Sequence, residues 1–379
     1  MARGSIYKRN SGYGYVVDLG PDPATGKRRQ TYKQGFRTKR EVEAALEKAL
    51  AAIRDGTVVS KDSVTVATYL SQWLEQQENQ LKATTWSSYK VAAERINRFI
   101  GKRKLQALTT ADIEKFYSDL SARGAKSGGP LAAKTVRNSH IVLRKALADG
   151  MRLGVVTRNV AASAKPPRST PTEHETWSGD QLAEFFASIA EDRLYAAFVL
   201  AATTGMRRGE VMGVRWSDID FDSNMLSIVQ TITTVDYQPV VSTPKTKRSR
   251  RVVFLDEQTI GVLKAHRTAQ REEKKAAGED WDNSHDLIFR DELGCLVNPD
   301  WFSTDFARKV RQSGLPKIRL HDLRHSYATL ALKAGMHPKV VSERLGHASV
   351  GITLDLYSHV TPAIAKEAAD VVASKIFDS

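Results

Sequence analysis

Between Val64 and Lys165 four successive segments repeat apolar side chains at three- and four-residue spacing, which commits about a quarter of the chain to a helical bundle. They are TVATYLSQWLEQQE, TTWSSYKVAAERINRFIG, TTADIEKFYSDLSARG and AAKTVRNSHIVLRKALADGMRLG. Thr84, Thr109 and Ala132 stand near the expected starts, and Gly101, Gly124 and Gly154 follow the expected ends. The stretch AKPPRSTPTEHET, rich in Pro, Thr and charge, then breaks the period and predicts an extended linker.

The flanks of this bundle follow other periods. Ahead of it Tyr13, Tyr15, Val17 and Leu19 alternate, PDPATGK turns, and Arg28 to Phe36 resumes, which predicts a small antiparallel sheet. Thr38 is the expected N-cap of a helix through KREVEAALEKALAAIRDG that stops at Gly56. Beyond the linker, helical segments at Gln181–Ala190 and Arg193–Thr203 precede β-rich runs at Met225–Thr233, Val240–Thr243 and Arg251–Leu255. Helical patterns return from Glu257, Pro299, His321, Pro338 and Ser349 onward. A chain of 379 residues exceeds what one core usually organises. The expected fold is therefore mainly α with small antiparallel β sheets, in three domains at residues 1–57, 64–165 and 176–379.

Charge narrows the partner. A net charge of +14 and a pI near 9.7 call for a polyanion, either nucleic acid or an anionic membrane surface. The cations are spread along the chain, no basic amphipathic helix with an aromatic face stands out, and the apolar stretch at Leu194–Ala202 is too short to span a bilayer. Nucleic acid is thus preferred and no membrane is expected. The N-terminus MARGSIYKRNSGYGY lacks the apolar core of a secretory signal, and the lone Cys295 excludes an internal disulfide or a four-cysteine zinc framework. A reducing cytoplasm is expected. Composition alone fits a merely basic soluble protein as well, so motifs must decide.

In the sheet segment Lys27, Arg28, Arg29, Lys33 and Arg37 lie among Tyr15, Tyr32 and Phe36, a cluster that could contact phosphates or bases although each cation singly is a solvated surface charge. In the last domain TTGMRRGE sets Arg207 and Glu210 three apart, so that on a helix the carboxylate could fix the guanidinium as a phosphate clamp. By itself that pair is an ordinary surface ion pair. TPKTKRSRR lies between two expected strands, so Lys245, Lys247, Arg248, Arg250 and Arg251 are placed on or beside a hairpin that could enter DNA grooves. HDLRH puts His321 and Arg324 on one helix face, where imidazole and guanidinium could share a phosphate. The same segment sets His321 and His325 at zinc-protease spacing, but Asp322 replaces the Glu that such a helix needs as base, and an Arg would face the dication. LGHAS offers His347, otherwise a structural helix-end histidine, and TLDLYSHV offers Tyr357 beside His359, where a lone Tyr is more often packing.

The order of these motifs, Arg with Glu, hairpin Lys, His-x-x-Arg, Gly-His, then Tyr, resembles the tyrosine recombinase family of phage and mobile-element integrases. The resemblance implies a catalytic set of Arg207, Lys245, His321, Arg324, His347 and Tyr357, with Glu210 in support. Lys247 is the alternative hairpin lysine. By the same resemblance the helical segment is similar to a core-binding domain, and the first module looks like an arm-type DNA-binding domain. Arg28, Arg29, Lys33, Lys134, Arg137, Lys247 and Arg248 are the candidate DNA contacts. RNV at Arg158–Val160 departs from the Asn-Pro common in relatives. The implied partners are double-stranded DNA attachment sites, a homotetramer on DNA, and possible host bending and directionality factors, with action at the nucleoid of a bacterial host.

The implied reaction is transesterification at a phosphodiester: a phenol attacks phosphorus, the deoxyribose 5′ oxygen leaves, and a 3′-phosphotyrosine conserves the bond energy, so neither ATP nor metal nor other cofactor is expected. A tyrosine of pKa about 10 is only roughly a thousandth phenolate at neutral pH, so a base is needed. His321 is the expected acceptor and Lys245 the expected acid. A relaxing topoisomerase of type IB, a non-catalytic DNA-binding regulator and a zinc hydrolase are the alternatives that the residues leave open.

Overall fold

The computed structural model describes residues 4–9, 12–21, 28–54, 64–169, 175–243, 250–347, 349–351 and 353–354. Lys245, Lys247, Arg248 and Tyr357 therefore lie outside the described residues, as does the side chain of Arg29. The chain divides into two units, Met1–Thr170 and Pro171–Ser379.

In the first unit, strands β1 (Gly4–Arg9), β2 (Gly12–Pro21) and β3 (Arg28–Phe36) form an antiparallel sheet in the order β1-β2-β3. Alternation along β2 turns Tyr15 and Val17 inward, where Val42 of helix α1 (Lys39–Arg54) completes a small core. Thr38 caps α1 as expected: its hydroxyl accepts from the Glu41 amide at 3.2 Å, and the Glu41 carboxylate accepts from the Thr38 amide at 3.3 Å.

The bundle is built from α2 (Val66–Glu78), α3 (Ala83–Ile100), α4 (Thr110–Arg123) and α5 (Ala133–Arg152), to which the turn α6 (Val160–Ser163) adds. Its core collects Leu70, Trp73, Ile96, Ile113, Phe116, Leu120 and Leu143, the side chains that carried the helical period. Thr109 caps α4 in a reciprocal box with Asp112. Thr84 does not cap α3; Lys82 holds that place without a side-chain bond, and Thr84 falls in the first turn. The RNV segment is used locally, since the Asn159 carboxamide oxygen accepts from the Ala162 amide and starts α6.

The second unit contains α7 (Gly179–Ser188), α8 (Tyr195–Thr204), α9 (Arg208–Met212), α10 (Glu257–Ala277), α11 (Pro299–Ser313), α12 (Leu320–Lys333) and α13 (Pro338–Leu345). Helix α8 is apolar on every face and sits in the core, with Phe198 stacked on Phe302 of α11 at 4.7 Å between centroids. Among the described residues five strands accompany the helices: β4 (Ile219–Asp220), β5 (Met225–Ile228), β6 (Thr231–Val235), β7 (Gln238–Ser242) and β8 (Arg251–Phe254).

Their pairing corrects one expectation. The basic segment TPKTKRSRR does not join two paired strands: β7 pairs with β6, whereas β8 returns to β5 in the sheet β4-β5-β8. The reason is the turn at Asp236 and Tyr237, both with positive φ (47° and 67°), which closes β6 and β7 as a hairpin of their own inserted between β5 and β8.

Candidate functional site

Arg207 ends the loop after α8 and is the N-cap of α9, so Arg207 and Glu210 meet across a helix start and not along a helix face. The Glu210 carboxylate accepts from the Arg207 amide at 3.0 Å and from Arg207 Nη1 at 2.8 Å. A second guanidinium reaches it from β8: Arg251 Nη2 and Nη1 donate to Glu210 at 2.9 and 3.2 Å. Burial opposes ionisation of Glu210, but the bonds and charges of Arg251 and Arg207 outweigh it and hold the carboxyl below its ordinary range.

Arg324 rises from the first turns of α12 and is buried, with Nη1 donating to the Gly205 carbonyl at 2.7 Å. Its Nη2 is also buried, and among the described residues it has no hydrogen-bond partner. Burial first, then the charge of Arg207, lowers Arg324 to about 9, still protonated at neutral pH. Arg207 Nη2 donates to the Gly346 carbonyl at 3.0 Å, which ties α9 to the end of α13.

Two glycines make these approaches possible. Gly205 has φ +64°, and a Cβ there would stand 2.4 Å from Leu345 and 2.9 Å from Tyr327. Gly346, at φ +67°, caps α13 and would press a Cβ onto the Arg251 guanidinium at 3.1 Å.

The carbonyl of Gly346 leads into His347, whose Nδ1 shares a 2.9 Å hydrogen bond with Thr353 Oγ1. Burial and then the charges of Arg324 and Arg207 push His347 down to about 4. His321 sits one helical turn before Arg324 and packs edge-to-face with His325, 5.2 Å between centroids. Crowding by the protein, followed by His325 and Arg324, pushes it down to about 4 as well. Its side chain is nevertheless exposed, so water offsets part of the burial effect. Both imidazoles are neutral near pH 7.

Arg207, Glu210, Arg324 and His347 are thus tied into one network, with His321 on the same helix face as Arg324. Three guanidinium groups, those of Arg207, Arg251 and Arg324, surround the single Glu210 carboxylate, so the network keeps a positive excess. An unsatisfied buried guanidinium N–H beside that excess suits a phosphate oxygen. Among the described residues no group of three or more His, Cys, Asp or Glu could hold a metal, and no helix is long and apolar enough to cross a membrane.

Arg251 was missed as a site residue because it was grouped with the basic run before it. Strand alternation carried the signal: Arg251 shares its face with buried Val253 and Leu255, whereas Val252 and Phe254 point outward at 52% and 61% exposure. Thr353, the partner of His347, left no comparable mark.

The remaining candidates whose side chains are described, Arg28, Lys33, Lys134 and Arg137, are exposed residues of the first unit. Arg28 donates from Nε to Asp18 at 2.7 Å, and Lys33 stands 5.8 Å from the Phe36 ring centroid. Lys134 and Arg137 are exposed in the first two turns of α5.

Residues 178–363 match the phage integrase family, residues 65–121 its N-terminal SAM-like domain, and residues 5–53 an arm DNA-binding domain. Over 96% of both chains this protein is 30% identical to a tyrosine recombinase XerC-like protein of Caldanaerobacter subterraneus subsp. tengcongensis. It is also 30% identical to the ICEBs1 integrase of Bacillus subtilis, over 97% of this chain and 98% of that one. In fold it is similar to the Tn1549 transposon integrase solved with a circular intermediate DNA, with TM-score 0.66 at 19% identity over 82% of this chain and all of that one. On this evidence of sequence and fold the chain belongs to the phage integrase family of tyrosine recombinases, enzymes that cleave and rejoin DNA strands at specific sites to integrate or excise a mobile element.

Proposed function

We propose that Arg207 and Arg324 hold the nonbridging oxygens of the scissile phosphate, His347 adds a hydrogen bond, and the Tyr357 phenol attacks the phosphorus. The P–O5′ bond breaks as the tyrosine–phosphorus bond forms, leaving a 3′-phosphotyrosine and a free 5′ hydroxyl. His321, neutral at pH 7 and so able to take a proton, receives the one released by the phenol. Lys245 gives a proton to the departing 5′ oxygen, which would otherwise leave as a poor alkoxide. Glu210 and Arg251 are positioning residues that act through Arg207. The observation that carries this reading is the buried Arg324 Nη2 with no hydrogen-bond partner among the described residues, next to Arg207 and His347.

The deciding experiment is a nicked suicide substrate, on which strand cleavage traps the protein covalently. Tyr357→Phe should bind the DNA as the parent does and form no adduct, and Tyr327→Phe should still form one. An adduct persisting in Tyr357→Phe would move the nucleophile elsewhere.

The domain reading at residues 1–57, 64–165 and 176–379 accompanies this one. The first module would take arm-type sites through Arg28, Arg29 and Lys33, and the bundle would take the core site through Lys134 and Arg137, with Lys247 and Arg248 flanking the lysine acid. The partner is a double-stranded attachment site. Exchange between two duplexes breaks four strands, each needing one tyrosine, so a homotetramer on DNA is the assembly. Duplex DNA is stiff over about 150 base pairs, so holding arm and core sites of one molecule together favours a DNA-bending host factor, with a directionality factor selecting excision. The place of action is the bacterial nucleoid.

A further inference from the structure

Helix α10 carries Lys264, Arg267, Arg271 and Lys274 at successive spacings of three, four and three. At about 100° per residue these fall within an arc of about 80° and extend over about 15 Å of helix. Lys264, Arg271 and Lys274 are exposed and Arg267 half-buried. The carboxylates of this part of the helix are used elsewhere, Glu272 by Lys275 at 2.6 Å and Glu273 by Arg193 at 2.7 Å. Among the described residues none of the four stripe cations has a carboxylate partner within ion-pair distance.

The stripe is also held in place. The Arg267 guanidinium lies over Trp216 and Phe221, 5.2 and 5.7 Å from the centroids, and Lys264 lies 5.8 Å from the Phe221 centroid. Trp216 is fixed in turn by its Nε1 bond to Gln270 at 2.7 Å, and Lys274 donates to Asn283 Oδ1 at 2.6 Å. Beside the stripe is a cavity of about 300 Å³ lined by Trp216, Arg267, Arg271, Lys274, His285 and Asp286. Asp286 is the one carboxylate among its described lining residues and accepts from the Ser217 amide at 3.0 Å; Glu279 and Asp280 lie exposed beyond the helix end. No residue of this surface belongs to the network around Arg207 and Arg324.

We propose that this flank of α10 is a second contact surface for the phosphate backbone of duplex DNA, separate from the strand-transfer site. Protein interfaces centre on apolar side chains, and α10 exposes no large one, whereas regularly spaced cations stacked on aromatic rings suit a repeating anion. The inference rests on the DNA-acting function for its ligand and is independent of the catalytic assignments.

The test uses the full chain with Lys264, Arg267, Arg271 and Lys274 all replaced by Gln. Binding is measured against salt on a short core-site duplex and on the same site flanked by unrelated sequence. On the long duplex the log–log salt slope should become shallower by about 3.6, which is about 0.9 for each of the four lost phosphate contacts, with at least a tenfold loss of affinity. Short-duplex binding and suicide-substrate cleavage should stay within about twofold. A charge-conserving Arg267→Lys/Arg271→Lys variant should keep the steep slope, which separates charge from folding. An unchanged slope on the long duplex would overturn the proposal. So would an equal loss on the short duplex, or a poly-glutamate chain binding the stripe better than duplex DNA. Arg324→Ala should show the opposite pattern, losing cleavage while the long-duplex slope changes by no more than about 1, the share of one phosphate contact, so failure of either reading can be told from failure of the other.

Discussion

Arg251 Nη2 and Glu210 Oε2 lie 2.9 Å apart in an ion pair whose side chains are only 7% and 4% exposed. Arg251 also donates from Nε to the Arg344 carbonyl at 2.7 Å, so one guanidinium joins β8, α9 and the end of α13. Removing Arg251 takes away two of the hydrogen bonds on the buried Glu210 carboxylate and leaves it to Arg207. Arg251→Ala should therefore cost about 3–5 kcal/mol of stability by urea unfolding. A Glu210→Met/Arg251→Met double variant should be less destabilised than either single replacement and still fail in strand cleavage, because Arg207 has lost its anchor. Normal cleavage in the double variant would remove the positioning role.

Arg324 and Arg207 are each oriented by a bond to a protein carbonyl, and Arg324 Nη2 has no hydrogen-bond partner among the described residues, an arrangement that a point charge on a flexible stem does not reproduce. Arg324→Lys and Arg207→Lys should each lower the single-turnover cleavage rate about 100- to 1,000-fold, the usual loss for one donor to developing charge. Core-site binding should fall far less. A rate within a few-fold of the parent would take that arginine out of the phosphate clamp.

His347 predicts a pH dependence of known sign. Its folded pKa is pushed down to about 4, whereas the unfolded chain titrates near about 6.5. Between these values only the unfolded state holds the proton, so stability falls as pH drops through about 6.5 and levels off below about 4. A bound phosphate works in the other direction by favouring the imidazolium. DNA affinity at constant ionic strength should therefore rise as pH falls toward about 4, where the free protein's imidazole takes up its proton, and His347→Gln should flatten that rise. The same rise in both proteins would separate His347 from the phosphate.

What could be read from the sequence was mostly local. The helical period marked Leu70, Ile96, Ile113 and Leu143 for the bundle core, and motif spacing singled out Arg207, Glu210, Arg324 and His347, which meet in the structure. Long-range relations were harder. The partner of β8 depends on where the intervening chain turns, and the turn at Asp236 and Tyr237 has no glycine to announce its positive φ. The position of Arg207 at a helix start was hidden because α9 is only 5 residues long, too short to show a period. Arg251 was hidden by its neighbours: five cations in nine residues read as a solvated run, although one of them continues the inward face of a strand.

The acid role proposed for Lys245 is the one that would leave the clearest chemical signature. A 5′ alkoxide is a poor leaving group at neutral pH and needs a proton, whereas a 5′ thiolate leaves without one. Lys245→Ala should therefore be strongly impaired on ordinary DNA and regain most of its cleavage rate on a substrate whose bridging 5′ oxygen is replaced by sulfur. Arg324→Lys should gain nothing from the sulfur, since its loss lies on the nonbridging oxygens. The basic segment between β7 and β8 holds a second candidate, Lys247, two residues further on. Rescue of Lys247→Ala with none for Lys245→Ala would transfer the acid to Lys247. Equal losses on both substrates for both variants would mean that the proton reaches the leaving oxygen from outside this segment.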